Sequence, residues 1–153
     1  MRSAIASFRG DPSSIPGARH WVRATLASWG LDAARWTAAQ VVSELATNCT
    51  LHARSPFTVR LAEDDGGVRL EIDDDSPVSL RALQYSATST TGRGLFIVDS
   101  LATQWGVSPR EGGKTVWALL PVADPVAGRP DDVSAAAFPR SVPAGSTPAA
   151  GVA

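Results

Sequence analysis

The sequence predicts an α+β domain in which amphipathic helices and short antiparallel strands pack around one core. Apolar residues recur at helical spacing in three segments, 14–30, 32–53 and 95–105. Alternation of apolar and polar residues indicates a β-hairpin over 57–73, and its strict period of two is typical of half-buried strands. At 153 residues with 44% hydrophobic content, the chain suits a single globular domain.

The first half of the chain predicts an edge strand followed by two helices. Residues 4–8 form a short apolar run that ends at Arg9-Gly10-Asp11-Pro12, a typical turn sequence. Ser13 or Ser14 is expected to cap the first helix, which ends near Gly30. The second helix is expected to run from residue 32 to residue 53, before the proline at position 56 stops it.

The hairpin carries an aspartate at a position of special interest. Residues 64–67 (DDGG) predict its turn, and Val68, Leu70 and Ile72 lie on the buried face of its second strand. Counting on by two from Ile72 reaches Asp74, so its neighbours in the run of three aspartates should face the other way. A carboxylate directed inward needs hydrogen-bond donors, because burying it without them costs several kcal/mol. Either the protein or a ligand has to supply those donors.

The second half predicts a loop, a third helix and two strands. Residues 78–91 have little apolar patterning, and Gly92-Arg93-Gly94 then opens the helix of 95–105. Glycines before a helix offer backbone N–H groups and the positive end of the helix dipole to a phosphate. Strands are expected at 106–108 and 115–120.

Two other stretches of the second half exclude one nucleotide-binding motif and predict where the domain ends. The triplet 113–115 (GKT) does not belong to a P-loop, because residue 108 is Ser where that motif needs Gly and a strand follows. Residues 123–153 hold five of the chain's 11 prolines and predict a disordered tail after a domain at 3–122.

Charge and cysteine usage limit the partners and the compartment. The net charge of −1 gives no reason to expect nucleic acid or an anionic membrane surface as a partner. The lone Cys49 excludes a disulfide framework and is expected to be a small buried core residue in a reducing compartment. Apolar runs are too short for a membrane span or a signal peptide, so a cytoplasmic location is expected.

The second helix carries a polar row beside its apolar stripe. Val42, Leu45, Ala46 and Cys49 form the stripe at i, i+3, i+4 and i+7, whereas Glu44, Asn48 and His52 follow one another at i+4 on a neighbouring face. Such a row either lines a polar cleft at the edge of the core or faces water. The helix by itself leaves both alternatives open.

Taken in order, these motifs resemble the GHKL family of ATP-binding domains, which includes gyrase, heat-shock chaperones, histidine kinases and mismatch-repair ATPases. The shared features are Glu-x-x-x-Asn on a helix, an inward Asp after a hairpin, a polar loop, Gly-x-Gly opening a helix and Gly-Lys-Thr at the last strand. The chain is most similar to the small anti-sigma-factor serine/threonine kinases, from about Phe8 to Pro121. The resemblance implies a two-layer α/β sandwich of the Bergerat type, with a mostly antiparallel mixed sheet and about three helices on one face.

The resemblance also implies a role for each matching position. Glu44 would be the catalytic base, Asn48 a Mg²⁺ ligand, and Asp74 the acceptor for the adenine amino group. Thr115 would lie near that aspartate. The other ATP-binding positions would be Ser76, which replaces the first glycine of an Asp-x-Gly box, and Gly92, Arg93, Gly94 and Leu95, with 79–91 as the ATP lid.

The function implied is an ATP- and Mg²⁺-dependent protein serine/threonine kinase that regulates transcription through a small partner protein. In the resembling group the substrate is an anti-anti-sigma protein, the kinase also sequesters a sigma factor, and homodimers are common. The alternative is a non-catalytic module that binds ATP and sequesters a regulatory partner, and a purely structural domain is a third interpretation. Glu44 favours chemistry, because a binding module has no need for a carboxylate at that position.

Overall fold

The computed structural model describes residues 1–53, 55–75 and 93–122, with the backbone alone at His52, Ala53, Arg93 and Gly94. Its strands are β1 (Ser3–Phe8), β2 (Phe57–Asp64), β3 (Gly67–Asp74), β4 (Gln104–Arg110) and β5 (Gly113–Pro121). Its α-helices are α1 (Ser14–Ser28), α2 (Arg35–Asn48) and α3 (Arg93–Leu101). The predicted tail 123–153 and the loop 78–91 lie outside the described residues.

The strands form one five-stranded sheet in the order β1-β2-β3-β5-β4, and all four pairings are antiparallel. The helices form the second layer, with α2 in contact with α1, α3, β3 and β5. This arrangement confirms the predicted two-layer α+β sandwich and the edge position of the first strand, although the sheet of the described residues is antiparallel throughout rather than mixed. None of the helices in the described residues is long and apolar enough to cross a membrane.

The core lies between the sheet and α2. One face of the sheet is apolar, because alternate residues from Phe57 to Leu61 on β2 and from Val68 to Ile72 on β3 are buried there. α2 meets that face with Val41, Val42 and Leu45, each at most 2% exposed. Burying each such side chain stabilises the fold by about 1.5–3 kcal/mol.

The hairpin prediction is confirmed in turn and in register. Residues Asp64 and Gly67 are paired at the ends of the two strands, and Gly66 adopts the positive φ of 87° that such a turn requires. Leu61 lies opposite Leu70, so the apolar sets of both strands share the helix-facing side.

The prediction for the third helix is wrong at its C-terminal end. The helix stops at Leu101, and the backbone N–H of Thr103 already donates to the Leu119 carbonyl oxygen of the sheet at 2.9 Å. Trp105 lies on β4 opposite Ala118. An inward position on a strand is apolar for the same reason as one on a helix, so a single tryptophan does not distinguish the two.

The second helix also differs from its prediction. Residues Asp32–Ala34 form a 3₁₀ turn before α2, and Cys49–Ala53 form a π turn after it. Two side chains of α2 donate hydrogen bonds to backbone carbonyl groups one turn earlier in the helix. Ser43 Oγ donates to the Ala39 carbonyl at 2.6 Å, and Thr47 Oγ1 donates to the Ser43 carbonyl at 2.6 Å. Such bonds compete with the backbone ladder and favour irregular helix ends.

β5 approaches β3 very closely at Gly113. A Cβ at this position would overlap the carbonyl group of Asp74 and lie 2.9 Å from the Cα of Asp75. We expect Gly113→Ala to lower the free energy of unfolding by about 1–3 kcal/mol, because the two strands must separate. Urea unfolding followed by tryptophan fluorescence measures the change.

Gly17 provides the matched control, because it is a helical glycine with room for a methyl group. The nearest heavy atom to a Cβ there is Phe8 Cε1 at 3.9 Å. Gly17→Ala should raise the stability by about 0.5–1 kcal/mol through helix propensity. An alanine at 113 that unfolds at the same urea concentration as the native protein would contradict the close approach.

Candidate functional site

A buried ion pair closes the end of β3 and the start of β5. Asp74 and Lys114 are paired across the two strands, and their side chains are 3% and 9% exposed. Lys114 Nζ lies 2.9 Å from each carboxylate oxygen of Asp74. Both side chains point to the helix-facing side, since Ile72 and Val116 occupy the preceding and following inward positions.

The α2 layer reaches the same carboxylate through Cys49. Its thiol donates to Asp74 Oδ2 with a sulfur–oxygen distance of 3.3 Å. Cys49 is 2% exposed, which confirms the expectation of a buried core cysteine. Burial, and then the neighbouring Asp74 carboxylate, raise the pKa of the Cys49 thiol well above its ordinary value.

The neighbouring aspartates face the other side of the sheet, as the strand period predicted. Asp73 is bound there by Arg60 at 2.8 Å and by the hydroxyl of Thr115 at 2.5 Å. Asp75 accepts a hydrogen bond from Arg110 at 2.7 Å, and the same guanidinium donates to the backbone carbonyl of Asp74 at 3.2 Å.

Lys114, rather than Thr115, is therefore the β5 residue beside Asp74. Thr115, which is expected near Asp74, lies opposite the preceding residue, Asp73, with its hydroxyl on the outer face. Its role in binding ATP stays a prediction. The period of two along β5 could have identified Lys114, because counting back from Val116 reaches it. The predicted strand began at residue 115 and missed that position by one residue.

Glu44 and Asn48 lie on α2 one turn apart, and both are half-buried. Neither side chain makes a hydrogen bond or ion pair within the described part of the chain. Asn48 is the last residue of α2 and directly precedes Cys49, so it lies one residue from the contact with Asp74. The structure thus brings the Glu-x-x-x-Asn motif and the inward aspartate to the same end of the helix–sheet interface.

The structure describes only some of the other residues that the sequence predicts to bind ATP. Arg93 and Gly94 open α3, which packs against α2, and Leu95 in its first turn is 7% exposed. Ser76, Gly92, the lid 79–91 and the side chain of His52 lie outside the described residues. Among the side chains that are described, no cluster of three or more His, Cys, Asp or Glu could hold a metal ion.

The shielded thiol of Cys49 can be tested directly, because it is the chain's only cysteine. We expect it to react with Ellman's reagent at pH 8 about 100-fold or more slowly in the folded protein than in guanidinium chloride. Burial and the raised pKa both deplete the thiolate. Equal rates in the two conditions would mean that the thiol is exposed and does not contact Asp74.

Comparison with known proteins agrees with this geometry. The sequence model of the histidine kinase-like ATPase domain family matches residues 8–120, which is most of the described chain. No curated protein matches the chain. The match covers β2, β3, α2 and α3 in full together with Asp74 and Lys114, and so the chain belongs to the family of histidine kinase-like ATPase domains, which are ATP-binding domains.

Proposed function

We propose that this protein is an ATP-dependent serine/threonine kinase that phosphorylates a small regulatory protein, as the anti-sigma-factor kinases do. The observation that carries the proposal is that the buried carboxylate of Asp74 is contacted from the end of α2 through Cys49, while Glu44 in the last turns of that helix is half-buried. The first is held in an ion pair, and the second makes no ion pair within the described residues. Two carboxylates in such different surroundings suit two different roles.

Asp74 suits recognition of the adenine base of ATP. Its carboxylate is fixed by Lys114 and Cys49 on the helix-facing side, where it can accept a further hydrogen bond from the amino group of adenine. A buried acceptor with fixed geometry discriminates well, because a ligand without the matching donor leaves it partly unsatisfied.

Asn48 suits a shared magnesium ion. Its side chain offers one neutral oxygen, and Mg²⁺ in nucleotide sites is commonly held by one or two protein oxygens, phosphate oxygens and water. The residues present therefore fit a cation that arrives with the nucleotide. The ion would supply charge neutralisation for the phosphates.

Glu44 suits the general base. A base must accept a proton from the attacking serine or threonine hydroxyl, so its carboxylate must not be engaged by a structural cation. Glu44 meets this condition within the described chain, unlike Asp73, Asp74 and Asp75, each of which is bound by Arg or Lys. The rest of phosphoryl transfer is positioning and charge neutralisation.

The partner in this proposal is an anti-anti-sigma-like protein that supplies the hydroxyl, with a sigma factor as a second partner and a homodimer as the expected assembly. The location in this proposal is the cytoplasm. These assignments rest on the likeness to the small kinases. The alternative, an ATP-dependent module that only sequesters its partner, predicts the same nucleotide site without phosphoryl transfer.

Titration with ATP tests the nucleotide site. We expect the native protein to bind ATP more tightly with Mg²⁺ than without it. In Asp74→Asn the affinity should fall about 10- to 100-fold, because a charged hydrogen-bond acceptor is lost. Calorimetry at fixed Mg²⁺ gives both dissociation constants.

Two variants control for the ion pair that Asp74→Asn breaks. The double variant Asp74→Asn/Lys114→Gln leaves no orphaned buried cation and should still bind ATP poorly. Asp75→Asn changes the adjacent, exposed carboxylate and should bind ATP normally. Native affinity in the double variant would show that Asp74 does not bind the base.

Phosphoryl transfer tests the role of Glu44. Glu44→Gln should keep the affinity for ATP while the rate of transfer from γ-³²P-ATP to a captured substrate falls about 10²- to 10⁴-fold. Transfer at the native rate in the variant would exclude Glu44 as the base. ATP binding without transfer to any partner in the native protein would favour the sequestering module.

A further inference from the structure

Lys114 is a buried titratable group to which the proposed function gives no task. Its ammonium touches both oxygens of Asp74 at 2.9 Å, and Asp74 Oδ2 also accepts from Cys49. A lysine has three N–H donors and no acceptor, so the pair presents a donor directly beside an acceptor.

The pair has to persist when a base is bound. The amino group of adenine is a neutral donor, and it cannot compensate the charge of a carboxylate that is 3% exposed. Removing the cation from a buried pair is strongly unfavourable, since it leaves an uncompensated charge. The adenine ring therefore meets the Asp74 carboxylate together with the Lys114 ammonium, and not the carboxylate alone.

We propose that Lys114 is a specificity-determining residue that donates a hydrogen bond to the acceptor ring nitrogen next to the adenine amino group, while Asp74 accepts from that amino group. The inference rests on the proposed function, in which Asp74 binds the base. Lys114 shifts from contact with both carboxylate oxygens to contact with one, and turns the released N–H to the ring nitrogen. No bond other than hydrogen bonds changes.

Adenine has such an acceptor on each side of its amino group, N1 on one side and N7 on the other. The donor–acceptor order of Asp74 and Lys114 complements either edge. Two ATP analogues separate them: 1-deaza-ATP lacks N1, and 7-deaza-ATP lacks N7, whereas both keep the amino group and the triphosphate.

The experiment is calorimetric titration of the native protein and of Lys114→Met with ATP, 1-deaza-ATP and 7-deaza-ATP at fixed Mg²⁺. We expect one analogue to bind the native protein about tenfold or more weakly than ATP, because a charge-assisted hydrogen bond is lost, and that analogue identifies the edge. Lys114→Met should bind ATP and this analogue equally. A merely structural role for Lys114 would weaken all three ligands by the same factor and would overturn the inference.

Two further variants keep the test decisive. Lys114→Gln keeps a neutral N–H donor and should keep part of the discrimination, which also covers the case that Lys114→Met fails to fold. Arg110→Gln removes the neighbouring cation that contacts the backbone of Asp74 and the side chain of Asp75, and should discriminate as the native protein does.

The outcomes separate this inference from the function on which it rests. Equal binding of ATP and both analogues by the native protein overturns the role of Lys114 and leaves the ATP site intact. Discrimination that persists in Lys114→Met assigns the contact to another donor and also overturns it. Absence of ATP binding in the native protein rejects the proposed function itself.

Discussion

The ion pair between Asp74 and Lys114 is the interaction on which the geometry of this end of the domain depends. It forms only if β3 and β5 keep their register, and the absence of a side chain at Gly113 allows the two backbones to approach closely enough. Cys49 reaches the pair from the π turn after α2, and Arg110 donates to the backbone carbonyl of Asp74. Residues of the sheet, the helix layer and the edge strand thus meet at a single residue, Asp74.

A pair of this kind is a poor way to gain stability. Two buried charges lose their hydration, and well-packed apolar residues of similar size are often as stabilising. The rest of the helix-facing side of β3 follows that rule with Val68, Leu70 and Ile72. The proposed role of the pair in binding adenine gives a reason for two buried charges at this strand end. The outer face shows the contrast, because ion pairs such as Arg60–Asp73 include a half-exposed partner and contribute little each.

α2 connects the ion pair of Asp74 and Lys114 to the residues that are proposed to take part in phosphoryl transfer. Its apolar stripe anchors it in the core, and its last turns change from α to π geometry where Ser43 and Thr47 bond back to the helix. Asn48 lies at that change, and Glu44 lies one turn before it. The regular part of the helix therefore holds the proposed base and packs on the sheet, whereas the π turn supplies the thiol that bonds Asp74. π turns are frequent at functional sites, and this one begins at Cys49, whose thiol bonds Asp74.

The sequence by itself determined the features that repeat along the chain. The hairpin, its glycine turn, the stripe of α2 and the inward direction of Asp74 all follow from periods of two or 3.6, which need no knowledge of the partner. Tertiary structure decided the rest. It placed Trp105 on β4 opposite Ala118 and set Lys114 opposite Asp74. A local period gives the face of a side chain, as it does for Lys114, but the residue opposite it depends on the register between distant strands, which is fixed by contacts far apart in sequence.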